Sequence, residues 1–133
     1  MNQACPCHSG KPYQACCQPY HDGKRPLLPL QLMRSRYAAY AMGKISYILK
    51  TEAGNIRSQN DKTKYRKDLK QYCQITSFIG LSILEAPTPT GHQGTVKFHA
   101  VMHQNGRDVS YTENSYFEKV KGQWIYVRAV ESV

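Results

Sequence analysis

Four cysteines crowd into the first seventeen residues as Cys5-Pro6-Cys7 and Cys16-Cys17, a C-x-C-x8-C-C spacing. A segment this short cannot bury a core of its own, so its shape has to come from ligation. Two thiol pairs joined by a polar loop can fold back and set four sulfurs around one ion. Zn2+ suits that arrangement, because it takes soft thiolates tetrahedrally at roughly 2.3 Å and imposes no other geometry. Pro6 stiffens the first pair, while Ser9-Gly10 supply a turn in which Gly10 can take a positive φ. The expected ligands are therefore Cys5, Cys7, Cys16 and Cys17, closing a structural rather than a catalytic site. A disulfide framework fits poorly, because no apolar leader precedes Cys5 and neighbouring cysteines do not readily bridge. The C-x-x-C of a redox motif is absent. His8 or His21 could each replace one sulfur, and Cys17 is the position such a histidine would displace.

A chain of 133 residues accommodates one ordinary domain and a small appendage. No apolar run approaches the roughly 18 residues that span a bilayer, so no membrane insertion is expected. Without a leader, a cluster of free thiols implies a reducing, cytoplasmic setting. The 18 Lys and Arg outnumber 9 Asp and Glu, a net charge of +9. That field favours acidic protein surfaces or nucleic acid and fades with salt, although a merely soluble basic domain carries the same signature.

Beyond the cysteines, Gln18 to Pro26 is turn chemistry and reads as a linker, with Pro29 suited to a first helical position. Leu30, Met33, Tyr37, Tyr40 and Ala41 recur at helical spacing up to Gly43, a natural C-cap. Ser46 could cap a short second helix over Tyr47 to Lys50. The stretch from Thr51 to Asn60 reads as a loop. Asp61 then opens a helix with an apolar face of Tyr65, Leu69 and Tyr72 and a basic ridge of Lys62, Lys64, Arg66, Lys67 and Lys70. Cys73, near its end, reads as a small apolar residue. From Ile75 the period becomes two. One strand runs to Ala86 with a bulge at Gly80, and the next sets Val96, Phe98, Ala100 and Met102 on one face. Asn105-Gly106 marks a hairpin into a strand ending near Lys119, and Gln123 to Val130 closes the set. Helices first and hairpin-linked strands afterwards predict an α+β domain, helices on one face of a curved antiparallel sheet.

The run Cys5 to Cys17, with Ser9-Gly10-Lys11 and Tyr13 at matching positions, resembles the SEC-C zinc motif found at the C-terminus of the preprotein translocase ATPase SecA. Leu32 to Ala41, with Glu113, Ser115, Phe117, Gly122, Trp124 and Tyr126, is similar to the bacterial YchJ family. That family joins a SEC-C motif to a domain like nuclear transport factor 2. The resemblance implies a division into residues 1–25, the zinc module and linker, and 26–133, a cone-shaped domain. Two positions depart from the family pattern. A His-Pro segment is replaced by Thr51 to Asn55, and Asn114 stands where an arginine often follows the matched glutamate. Many relatives also carry a second SEC-C motif after the cone, whereas this sequence reaches Val133 with one.

Cones of this kind usually enclose a pocket, for which the candidates are Glu113, Tyr40 and His99, with Tyr37 and Tyr116. Glu113 could act as a base beside aromatic rings, or pair with Arg34 or Arg36 to hold helix to sheet. No Ser/His/Asp order, phosphate-cradling loop or nucleotide fingerprint is present. By analogy with SecA, the expectation is an adaptor that presents Lys11, Tyr13 and His8 to a protein or ribosomal partner. Small-molecule binding or catalysis in the pocket and nucleic-acid binding through the basic surface are the alternatives.

Overall fold

The computed structural model describes residues 3–54 and 59–130, so the loop expected over 51–60 lies partly outside them. Helices α1 (Gln18–His21), α2 (Pro29–Met42), α3 (Ile45–Lys50) and α4 (Gln59–Ile75) precede strands β1 (Thr76–Glu85), β2 (Gln93–Gln104), β3 (Arg107–Asp108), β4 (Tyr111–Val120) and β5 (Gln123–Val130). The strands form one antiparallel sheet in the order β1-β2-β4-β5, with β3 paired to β2. The α+β expectation holds.

Helix α2 is the pivot of the structure. Pro29 opens it, the Gln31 side chain reaches back to the Leu27 and Leu28 amides at 2.8 and 3.2 Å, and Gly43 ends it at φ 71°. Such reach-back bonds satisfy donors that the first helical turn leaves free. Leu32, Met33, Ser35, Arg36, Tyr37, Ala38 and Ala39 are all buried. A helix wrapped by neighbours on several sides needs no strong polar face, which explains the mixed pattern of α2. Its close seat on the sheet requires Gly94, where a Cβ would lie 2.7 Å from the Pro29 ring.

The second helix differs from expectation. It begins at Ile45 with Lys44 before it, and Ser46 lies inside, where its Oγ accepts from Arg66 Nη2 of α4 at 2.9 Å. The strand expected after Asn105-Gly106 is split at Val109-Ser110. Ser110 Oγ accepts the Met102 amide at 3.0 Å, and the Ser110 amide turns to Asp108 Oδ1 at 2.9 Å. A side-chain oxygen has taken a backbone acceptor's place there, which interrupts the ladder. The β1–β2 register slips between Phe78 and Gly80 as expected. The same pairing slips again between Ile83 and Glu85, and a third slip, at Val127 between the pairs Tyr116–Arg128 and Phe117–Tyr126, brings Tyr126 onto the same face as Phe117. Beside it, Thr51 O and the Ala53 amide pair with the Tyr126 backbone at 2.9 and 2.8 Å.

Candidate metal centre and cavity

The N-terminal cysteines converge. The sulfurs of Cys5, Cys7, Cys16 and Cys17 all lie within 4.8 Å of one another. Cys7 to Cys16 is 3.6 Å and Cys16 to Cys17 is 3.9 Å. Sulfurs at the corners of a tetrahedron around zinc stand about 3.8 Å apart, so the cluster fits a four-sulfur metal site. All five cysteines are free thiols. Among the described residues no other set of three or more His, Cys, Asp or Glu side chains converges in this way.

The loop is built for this. His8 (φ 61°) and Gly10 (φ 87°) turn the chain, and the Cys5 amide donates to Lys11 O at 2.9 Å, closing the hairpin. A 3-10 turn over Tyr13–Ala15 then delivers Cys16, and Ser9 Oγ lies 3.1 Å from its sulfur. The Cys7 thiol is drawn down to about 4, chiefly by hydrogen bonding from Cys17, while Cys5 is pushed up to about 11 by burial. Cys17 is pushed up because its hydrogen bond to Cys7 and its own burial both keep it protonated. Cys5, Cys7 and Cys17 are buried and Cys16 half-buried, so a metal ion entering this cluster would displace thiol protons, and its binding would be coupled to proton release.

The metal loop is docked on the cone. Cys5, Cys7 and Cys17 belong to the same buried apolar cluster as Leu32, Met33, Phe98 and Phe117. Arg34 Nη1 donates to Cys7 O at 3.0 Å and lies 3.8 Å from its sulfur, a cation beside a site whose thiolates carry net negative charge. Neither histidine converges with the four sulfurs. His8 remains exposed but lies 3.2 Å from Phe78 O, its ring against Tyr37 at 5.8 Å. His21 Nδ1 accepts from Tyr13 Oη at 2.7 Å, and its Nε2 donates to Ser35 O at 2.8 Å. Of the residues expected to face a partner, Tyr13 is thus half-buried at this seam, and Lys11 stands exposed.

Burial holds the pKa of His21 below its ordinary 6.5. The fold therefore prefers the neutral ring, and its contribution is complete above pH 6.5 and is lost as pH falls through the lowered value. An NMR titration of the metal-loaded protein is expected to show His21 as the Nε2-H tautomer, titrating below 6.5; a midpoint above 6.5 would contradict this seam.

Between α2, α4 and the sheet lies a cavity of about 330 Å³, lined by residues that include Tyr37, Tyr40, Tyr72, Phe98, Glu113 and Tyr126. The structure brings Tyr37, Tyr40 and Glu113 together there and leaves His99 and Tyr116 outside. The inner face of β2 is formed by Phe98 and Ala100, so His99 points the other way and sits 2.8 Å from Thr112 Oγ1. Tyr116 bonds Glu118 at 3.1 Å and stacks with Arg128. Glu113 pairs with neither Arg34 nor Arg36. Ser115 Oγ and Tyr126 Oη donate to its Oε2 at 2.6 and 3.0 Å, while Arg36 is taken by Glu52 at 3.3 Å. Arg34 faces the metal loop instead.

Sequence reading missed the roles of Arg34, Ser35 and His21 at the seam. The basic ridge of α4 does have a counterpart: a groove of about 1060 Å³ between α3 and α4, whose lining includes Lys44, Lys50, Lys64, Lys67 and Lys70.

A profile described as "YchJ, middle NTF2-like domain" matches residues 28–129, and the SEC-C motif matches residues 1–19. The chain belongs to the YchJ family. A UPF0225 protein of Actinobacillus succinogenes is 37% identical over 129 residues, which cover 96% of this chain and 81% of the relative. Among solved structures, a SEC-C motif containing protein from Rhodopseudomonas palustris superposes with a TM-score of 0.79 at 30% identity, covering 100% of both chains. A second such protein, from Psychrobacter arcticus, gives 0.77 at 28% identity, over 98% of this chain and 85% of that one. The cone expected of a YchJ member, with a domain like nuclear transport factor 2 behind a SEC-C motif, is thereby shown. No helix among the described residues is long and apolar enough to cross a membrane.

Proposed function

We propose that this YchJ-family protein is an interaction protein in which Cys5, Cys7, Cys16 and Cys17 hold a structural zinc ion. The metal fastens the loop to the cone, so that both meet a partner as one surface. The observation that carries this reading is the merging of the cysteine cluster with the core around α2. A four-thiolate cage with Cys5, Cys7 and Cys17 in the core and Cys16 at its edge leaves no coordination position for substrate and suits a structural ion. The partner is a protein or ribosomal surface of acidic character. Exposed Lys11 and the lysines of the α3–α4 groove supply the complementary charge, which steers association more than it tightens it.

Co-purification from nuclease-treated lysate tests this. A partner retained by the wild type is expected to be lost with Cys5→Ser and weakened by Lys64→Glu with Lys67→Glu. Recovery unchanged by Cys5→Ser would count against the reading. A partner released by nuclease, with direct binding that falls steeply with salt, would replace it by nucleic-acid recognition.

A further inference from the structure

The cavity under α2 shares Tyr37, Phe78 and Phe98 with the wall behind the cysteine loop, but none of the four cysteines lines it, and its chemistry is unlike that of the protein surface. Its volume, about 330 Å³, falls within the range of small-molecule sites. The charged side chains that line it are Arg36 and Glu113. Arg36 is neutralised in place by Glu52 at 3.3 Å. Glu113 has no cation within ion-pair distance among the described residues. In a chain of net charge +9, this interior carries an uncompensated carboxylate.

The carboxylate is also held ready. Both hydroxyl donors, Ser115 Oγ and Tyr126 Oη, bond the same oxygen, Oε2. Oε1 receives no hydrogen bond from the described residues, yet none of their buried side-chain oxygens is left without a partner. Oε1 is therefore not sealed in the protein; it meets open space. The walls around it are aromatic. Tyr40 and Tyr72 lie edge to face at 5.9 Å, Tyr72 and Phe78 at 6.3 Å, and Phe98 and Tyr111 at 5.9 Å. Ring faces are negative and attract cations, while their area accepts an apolar body.

We propose that this cavity binds a protonated amine carried on an apolar body. The ammonium donates to Glu113 Oε1, and the body packs against Tyr40, Tyr72 and Phe98. A neutral molecule of the same shape would strip water from the carboxylate and give it a weaker partner. An anion would meet the charge of Glu113 directly. The site is independent of the partner surface proposed above, so either can fail alone.

Calorimetric titration of the full-length, metal-loaded protein at neutral pH with 2-phenylethylamine, 2-phenylethanol and phenylacetate tests it. The amine is expected to bind, the alcohol to bind at least about tenfold more weakly, and the acid to give no binding. Glu113→Gln keeps an acceptor for Ser115 and Tyr126, and is expected to remove the preference for amine over alcohol. Should that variant not fold, the preference of the wild type still decides. Equal affinity for amine and alcohol, binding of phenylacetate, or no binding of the amine up to its solubility would overturn the proposal.

Discussion

Replacing Cys7 by serine is expected to abolish metal binding and to lower stability by at least about 4 kcal/mol, a fall in thermal midpoint on the order of 10–20 °C. Cys7 is fully buried. Its sulfur and carbonyl both face Arg34, so the variant loses a ligand where the loop meets α2. With three sulfurs the cage cannot close, and a loop this short has no core to fall back on. The damage then spreads. Release of the loop uncovers the side of α2 that carries Arg34 and the Tyr37 edge against His8, and strips Tyr13 from His21. Chelation of the wild type is expected to give the same melting curve as Cys7→Ser. Paired circular-dichroism melts with elemental analysis check this, and a metal-free variant that melts like the wild type would refute it.

Arg36→Ala is expected to cost about 3–5 kcal/mol, because it leaves buried partners stranded. Arg36 is 8% exposed. Nη1 donates to Ile48 O at 2.9 Å and Thr51 Oγ1 at 2.8 Å, and Nη2 reaches Glu52 at 3.3 Å. The guanidinium also stacks over the Tyr126 ring at 4.9 Å. One side chain thus ties α2 to the end of α3 and to β5. Without it, Ile48 O keeps Thr51 and Glu52 keeps Tyr65 Oη at 2.6 Å, but the carboxylate has lost its cation. Arg36→Lys restores the charge without the planar fork and is expected to recover little of the loss. Glu52→Gln combined with Arg36→Ala should cost less than the sum of the two alone, since neither then leaves a buried charge unpaired. Urea unfolding of the four proteins measures this, and strict additivity would contradict the pairing.

The features legible in the sequence are those decided by neighbours along the chain. Cysteine spacing gave the convergence of four sulfurs, Pro29 and Gly43 bounded α2, alternation placed Phe98 and Met102 inward, and Asn105-Gly106 marked the hairpin. What stayed hidden depends on how distant segments meet. Arg34 looks like any helical arginine until the metal loop folds back on its side of α2. Glu113 has arginines at plausible sites, yet the register of β4 against β5, shifted at Val127, hands it Tyr126 instead. His21 reads as a loop histidine, and only the seat of α1 on α2 sets it between Tyr13 and Ser35. Ser46 has the chemistry of a helix cap, but a donor on α4 claims its hydroxyl.

X-ray absorption at the zinc edge, on protein purified in reducing buffer without added metal, tests the four-sulfur cage most directly. The expected spectrum shows one zinc per chain surrounded by four sulfurs at about 2.3 Å. A first shell containing nitrogen or oxygen, or the absence of a zinc edge from folded protein, would contradict it.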